Sequence, residues 1–448
     1  MSARGPAGRG FGPLAGVLAG MAVSLTGTRV SAVALPWFVL VSTGSATRTG
    51  LVAFCEMAPY VVVQALSGPL VDKAGPRRVS WNADLLSAVA AAFVPALHVL
   101  GLLPFWLLLG LVAVIGVVRG PGDLAKTVMV PEAAERGGLP VERATGLAGV
   151  TERLASTVGP AVAGALVALV GPLAGLAVNA ACFALGSLVV GVLMPRDVGR
   201  ATETGDGTRQ TREPAGYWRR LGEGFSFLRG DRLLLGITVT VGVTNLLNTA
   251  FSSVLLPVWA KESGGGPAVI GLTGSVAGVA AVCGSLIAAA VAHRLRRRLV
   301  FFAGFLLDGA PRFLILACGA PMWAVAAVFA VSGFGGGFLN PILGAVLYER
   351  VPRGLLGRVK ALGSALAWAG IPFGGLLAGA AVTTAGLVPA LVAGGAAHAV
   401  TISLSGLRPE WKAMDRSRRS RSTGGEEPPR ESAEDEATGR QPEAPAVS

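Results

Sequence analysis

Long apolar runs, each ended by a short break of polar, glycine or proline residues, fill the chain from about residue 12 to about residue 406. Runs of roughly 18 or more apolar residues read as membrane-crossing helices. The pattern predicts twelve, at roughly 12–40, 50–71, 79–100, 104–125, 145–170, 173–194, 234–260, 267–292, 299–319, 322–348, 357–383 and 386–406. The hydrocarbon slab admits only helices or closed barrels, and these runs lack the two-residue alternation of a barrel strand. The expected fold is an all-α membrane protein with twelve transmembrane helices. Several runs exceed the ~20 residues of a straight crossing, which predicts tilt or turns outside the slab.

The breaks alternate in charge. Arg4 and Arg9 precede span 1, and every second loop after it is basic: Lys73, Arg77 and Arg78; Lys126, Arg136 and Arg143; Arg196 through Arg232; Arg294, Arg296, Arg297 and Arg298; Arg350, Arg353 and Arg358. The intervening loops carry only Arg48 and Lys261. Cytoplasmic loops are the ones enriched in Lys and Arg, so both termini are expected in the cytoplasm of a multi-pass cell-membrane protein. "AVA" at 32–34 resembles a signal-cleavage site, but the apolar run continues through "LPWFVLV" and span 1 is read as retained.

Two six-helix halves are expected from an internal repeat. Pro36 and Pro257 lie 221 residues apart, Arg78 and Arg298 220, Pro131 and Pro352 221, and Pro160 and Pro372 212. The reading gives an N-terminal half over 1–194, a connector over 195–232, a C-terminal half over 233–407 and a disordered tail over 408–448. In the connector, Trp218, Leu221, Phe225 and Phe227 among arginines predict an amphipathic helix against the inner leaflet. The tail holds too little apolar surface to offset its ordering entropy.

Composition agrees. The 448 residues are 52% hydrophobic and 14% charged, against about 25% charged in a soluble domain. The 64 glycines let helix backbones approach closely in lipid. The net charge of +12 is spread over short loops, not one face, which argues against nucleic acid. Cys55, Cys182, Cys283 and Cys318 lie in apolar runs without metal-ligand spacing, and no metal or cofactor is expected. The chain has no Gly-Lys pair, so a phosphate loop is not expected, and the glycine-rich "SGFGGGFLNP" at 332–341 reads as a packing seam.

Charges inside apolar spans are costly and point to function. They are Arg29, Glu56, Asp84, Arg119, Glu152, Arg153, Asp308 and Arg312. Glu56 stands in an otherwise apolar run, free to act or held by Arg29. Asp84 reads as structural or latching, Glu152 and Arg153 as pairing with neighbours, and Asp308 with Arg312 as an i,i+4 pair. A carboxylate whose fixed cation comes and goes alternately binds and releases a proton. Trp37, Asn245, Asn248 and Asn340 are candidates for a substrate cavity, with interhelix hydrogen bonding the commoner role of such asparagines, Asn179 included. His98, His293 and His398 read as interfacial.

The loop "GPLVDKAGPRR" at 68–78 resembles the loop signature of the major facilitator superfamily, matching at Gly68, Asp72, Lys73, Gly75, Arg77 and Arg78 with Pro76 inserted. "SLTGTRVSAVALPWFVLVSTGSATRTGLVAF" and "VPEAAERGGLPVERATGLAGVTERLASTVGPAVAGAL" look like the macrolide-efflux-like branch of its drug exporters. Gly159, Pro160 and Gly164 are similar to the span-5 motif of antiporters, with Ala163 in place of one glycine. The resemblance implies that Asp72 latches the cytoplasmic side, with Arg358 or Lys360 as counterpart, and that Arg119 of "RGPG" serves proton coupling. Relatives often have an acid before the span-1 arginine; this chain has Thr28, so either the carrier is another acid, Glu56 first, or coupling is absent, and Arg29, Arg119 and Asp84 complete the proton-coupling candidates.

Taken together, the sequence predicts a secondary exporter of a small amphipathic molecule, working as a monomer by proton antiport with alternating access. The alternatives are a nutrient importer or facilitator on the same fold and a non-transporting membrane protein. No catalytic cluster is visible, so enzymatic activity is not expected.

Overall fold

The computed structural model describes residues 12–194, 214–291, 296–352, 355–412 and 414. Arg4, Arg9, His293, Arg294, Arg353, the stretch 195–213 and the chain beyond 414 lie outside the described residues, as do the side chains of Trp218 and Leu221. Among the described residues there is no strand. Twelve helical segments are long and apolar enough to cross a membrane: Gly12–Thr43, Ala46–Leu66, Pro76–Val99, Phe105–Gly137, Val141–Val170, Pro172–Leu193, Arg232–Glu262, Gly266–Val291, Arg297–Ala317, Met322–Arg350, Arg358–Ala385 and Leu387–Leu407. They are spans 1 to 12.

The turns between spans are short enough that consecutive spans reverse direction. Spans 5 and 6 are joined by Gly171 alone, at φ +88°, and spans 11 and 12 by Gly386, at φ +90°. Only glycine adopts this backbone without strain, and its use at matching places in the two halves reflects the repeat. The halves are not copies in every detail. Span 1 runs unbroken through Pro36, whereas span 7 has a π-turn at Phe251–Leu255 just before Pro257.

The arginines that open spans 3 and 9 repeat too. Arg77 donates to the Gly191 carbonyl at the end of span 6, and Arg298 to that of Gly406 at the end of span 12, each at 2.6 Å. A cation over terminal helix carbonyls is favourable. The contact pairs Arg298 with Arg77, 221 residues apart, not with Arg78 as sequence alone suggested.

One apolar core crosses both halves. It joins Val30 to Leu40, Ala46, Val52, Leu108 and Val167 of the first half to Phe251, Leu255, Phe313, Phe329, Ala378 and Leu391 of the second. All of these lie toward the bundle end opposite the 68–78 loop. Nearer that loop the core divides. Leu14, Val17, Met129 and Val190 form a cluster wholly in the first half, and Leu234, Phe301, Ile342 and Trp411 one wholly in the second. The halves are therefore joined at the far end and separate toward the basic end.

Two seams make the junction, span 2 on span 11 and span 5 on span 8, and both depend on glycine. A Cβ on Gly50 would lie 2.1 Å from the Gly375 carbonyl oxygen. One on Gly164 would lie 2.6 Å from the Gly271 Cα, and one on Gly274 2.7 Å from Pro160. Thr47 and Thr383 hydroxyls meet at 2.7 Å, and Lys261 Nζ donates to the Leu40 carbonyl at 3.2 Å. The run at 332–341 packs as expected within the second half: a Cβ on Gly333 would sit 2.0 Å from the Ala277 carbonyl oxygen of span 8.

The connector carries a helix, Pro214–Gly230, which buries Leu228 against the second half and leaves Phe225 exposed. The ordered chain also extends past 408, where composition predicts a disordered tail. A 3₁₀ turn, Pro409–Lys412, buries Trp411 against Phe301 and Phe302 at centroid distances of 5.0 and 4.8 Å, and Met414 is buried beside it. One aromatic anchor outweighs the polar average of its surroundings.

Two outcomes follow from this packing. Trp411→Ala removes a fully buried aromatic, with an expected loss of about 3–5 kcal/mol, read as a lower thermal unfolding temperature of the detergent-solubilised protein. Gly50→Leu drives a side chain into the span 11 backbone. Spin labels at Arg48 and Thr384, on a background with the four cysteines replaced, should then report a longer distance across the far end; an unchanged distance would refute the seam as the closure point.

Candidate functional site

Span 4 organises the charges of the first half. Arg119, Asp123 and Lys126 stand at i, i+4 and i+7, on one helix face. Sequence reading ends this span near 125 and places Lys126 in a basic loop. Instead the helix continues to Gly137, where Gly138 at φ +67° stops it, and Lys126 is only 3% exposed. The glycines of "GVVRGPG" explain how an arginine fits here. A Cβ on Gly116 would lie 2.2 Å from the Glu56 carbonyl oxygen, one on Gly120 3.0 Å from that of Tyr60, and one on Gly122 2.8 Å from the Ala83 Cβ. Spans 2 and 3 thus press on span 4 on either side of Arg119.

The result is a line of alternating charge. Arg119 Nη1 donates to Glu56 Oε1 at 3.0 Å, while its Nε lies 3.6 Å from Asp123 Oδ2. Its guanidinium stacks 4.6 Å from the centre of the Tyr60 ring, and the Tyr60 hydroxyl donates to Asp123 Oδ2 at 3.2 Å. Beyond Asp123, at 4.0 Å, is Lys126 Nζ, which donates to Asp84 Oδ1 at 2.7 Å and to Ser24 Oγ at 2.9 Å. Ser24 in turn donates to Asp84 Oδ2 at 3.3 Å. Glu56, Arg119, Asp123, Lys126 and Asp84 form one chain through spans 2, 4 and 3, with span 1 contributing Ser24.

Arg29 does not hold Glu56. Its Nη2 donates to Ser156 Oγ of span 5 at 2.8 Å, and its methylenes lie where a Cβ on Gly159 would come within 2.6 Å. The span-5 motif therefore has two uses: Gly159 admits Arg29, while Pro160 and Gly164 build the half-to-half seam. The Thr28 hydroxyl bonds the Ser24 carbonyl of its own helix at 3.0 Å. Glu152 and Arg153 are exposed, with no ion pair among the described residues.

Elsewhere the candidates scatter. Asn245 donates to the Ala367 carbonyl at 3.0 Å, tying span 7 to span 11. Asn248 accepts from Arg312 at 3.4 Å, and Arg312 pairs with Asp308 at 3.5 Å as the i,i+4 spacing predicts. Trp37 is half-buried on the shared core, Asn340 is exposed, and Asn179 is buried beside Gly27. His98 meets Phe38 edge-on at 4.9 Å. His398 is not interfacial: it is buried mid-span, its Nε2 2.9 Å from the Phe305 carbonyl oxygen, filling the break that span 9 makes at Gly309.

The pairing expected of the 68–78 loop is not made in this conformation. Residues Gly68–Ala74 form a short helix, and Gly75 at φ +85° turns the chain into span 3, which Pro76 opens. Gly75 is required there, whereas Gly68 has open space where a Cβ would go. Asp72, Lys73, Arg78 and Lys360 are exposed, and Asp72 has no ion-pair partner among the described residues. The expected counterpart, Arg358, donates instead to Glu223 of the connector helix at 2.8 Å. With the halves apart at this end, Asp72 and Arg358 each stay with their own half.

Sequence reasoning missed Asp123, Lys126, Tyr60 and Ser24. The i, i+4, i+7 spacing from Arg119 carried a signal for the first two; Tyr60 and Ser24 leave none without the fold. Among the described residues no group of His, Cys, Asp and Glu could hold a metal ion.

Comparison with known proteins places the fold and the chain. The family described as transmembrane secretion effector matches residues 15–437. The multidrug efflux pump Tap of Mycobacterium tuberculosis is 32% identical over 390 residues, covering 84% of this chain and 88% of that protein. Macrolide efflux protein A of Streptococcus pyogenes is 24% identical over 369 residues, covering 81% and 87%. The crystal structure of the nucleoside transporter NupG superposes with a TM-score of 0.70 at 13% identity, covering 90% of this chain and 98% of that one, a likeness of fold. The chain belongs to the transmembrane secretion effector family of the major facilitator superfamily.

Proposed function

We propose that the chain exports small amphipathic molecules, drugs or secondary metabolites, from the cell by proton antiport, with Glu56 as the proton-carrying carboxylate. Export is supported by its relatives, a multidrug efflux pump and a macrolide efflux protein. Membership of the transmembrane secretion effector family supports a non-enzymatic role with a small-molecule cargo.

The observation that carries the proton reading is the pair Glu56–Arg119, at 3.0 Å with side chains only 16% and 9% exposed, deep in spans 2 and 4. A buried carboxylate that loses its cation does not remain charged in a low-dielectric medium; it takes up a proton. Glu56 lies mid-way along span 2, one turn beyond the Ala46–Ala53 stretch that forms the seam with span 11, so tilting of one half against the other would alter its surroundings. The basic loops assign the separated end to the cytoplasm. The conformation then receives cargo from the cytoplasm or inner leaflet and is closed outside by the Thr47–Thr383 and Lys261–Leu40 contacts. Closing the cytoplasmic end would bring Asp72 into competition with Glu223 for Arg358.

The test is accumulation of erythromycin and ethidium in an efflux-deficient host. Expression of the wild type lowers accumulation, and a protonophore restores it to the level of cells without the protein. Glu56→Gln, a neutral isostere, matches those cells with or without protonophore. Lowered accumulation that ignores the protonophore would reject proton drive.

A further inference from the structure

Arg119 has a buried donor that is not satisfied. Its Nη1 is taken by Glu56, but its Nε has no hydrogen-bond partner among the described residues. Buried donors are rarely left unpaired. The nearby acceptor is Asp123 Oδ2, at 3.6 Å, just outside hydrogen-bond range. A slide of about half an ångström toward Asp123 would close that bond. The Tyr60 ring lies under the guanidinium, and the Tyr60 hydroxyl holds the same Asp123 oxygen, so the path of the slide is already lined.

We propose that Asp123 is the alternate partner of Arg119, a positioning residue that keeps the guanidinium neutralised while Glu56 carries a proton. The inference rests on the reading of Glu56 as the carrier. A single carboxylate cannot both carry a proton and remain the counter-ion of a buried arginine, because its protonation leaves the cation unpaired, a strongly unfavourable state. Asp123 removes the conflict. At 32% side-chain exposure, against 16% for Glu56, it is the more open of the two to solvent. In the resting arrangement Arg119 bonds Glu56; when Glu56 takes a proton, the guanidinium moves onto Asp123; when Glu56 releases it, the guanidinium returns. No bond is made or broken other than the O–H of Glu56.

The charged and titratable groups around Asp123 are few. Its own span supplies Arg119 and Lys126, the latter 4.0 Å away but already bonded to Asp84 at 2.7 Å. Span 2 supplies Tyr60 and Glu56, span 3 Asp84, and span 1 Arg29, which is bonded to Ser156. The short helix 68–74 against span 4 offers only the exposed Asp72 and Lys73, and span 5 the exposed Glu152 and Arg153. Among the described residues, Asp123 is the one acid besides Glu56 within ion-pair distance of Arg119.

The experiment measures protonophore-sensitive erythromycin accumulation in inside-out membrane vesicles as a function of internal pH. Asp123→Asn keeps the shape and removes the charge. Its profile should shift to lower pH by about one unit, a tenfold loss of proton affinity at the coupling site. Asp123→Glu, which keeps the charge and reaches further, should hold its midpoint at or above that of the wild type. Should the asparagine variant not fold, Tyr60→Phe serves: it frees the Asp123 oxygen for Arg119 and should shift the midpoint to higher pH. An unchanged midpoint in the variant measured overturns the proposal. Glu56→Gln in the same vesicles separates the two readings. If that variant keeps proton-driven accumulation, Glu56 is not the carrier; if it is inactive while Asp123→Asn keeps the wild-type midpoint, only the role of Asp123 falls.

Discussion

A charge placed in hydrocarbon must find a countercharge, and the first half is built around meeting that demand. Removing one partner from a buried ion pair typically costs about 3–5 kcal/mol, because the other is left uncompensated. Five ionisable side chains in a row, Glu56, Arg119, Asp123, Lys126 and Asp84, answer it collectively, each basic group standing between two acids. The backbone serves this line. Gly116, Gly120 and Gly122 bring the neighbouring spans into direct contact with span 4 on either side of Arg119.

The same economy of small residues joins the halves. At Gly50 with Gly375, and at Gly164 with Gly271, helix backbones touch at distances no side chain would allow. Such contacts are made by dispersion and shape, not by strong polar bonds. They suit an interface that the proposed transport cycle would open and re-form. The polar additions at the far end are few, and at the basic end the halves keep separate apolar clusters. A shared core at one end and divided cores at the other is the geometry of a hinge, and the alternating access proposed here uses it.

Much of this was legible in the sequence, because a membrane imposes a coarse rule: long apolar runs must be helices, and the period of their breaks gives the count. The repeat was legible through prolines and arginines at constant spacing, although the match of Arg298 to Arg77 needed the contact to the span-12 carbonyl to be seen. Charge was harder. Lys126 resembled a loop base because hydropathy fades near it, while the helix in fact continues for three more turns; only its partner, Asp84, 42 residues away, shows why it is buried. Arg358 was assigned to Asp72 on the assumption of a closed latch, and sequence does not say which of several conformations a chain occupies. Trp411 was hidden by averaging, since one ring among polar neighbours barely moves a window score yet fills a gap beside Phe301.

That ring has a consequence for how the molecule could be watched. Because Trp411 and Met414 are seated in the second half, the segment that carries them is fixed to that lobe. A fluorophore attached beside them would behave as a pointer mounted on one blade of a pair of shears. Its angle, followed against a mark on the opposite blade, would register each working stroke without touching the seams or the buried charges.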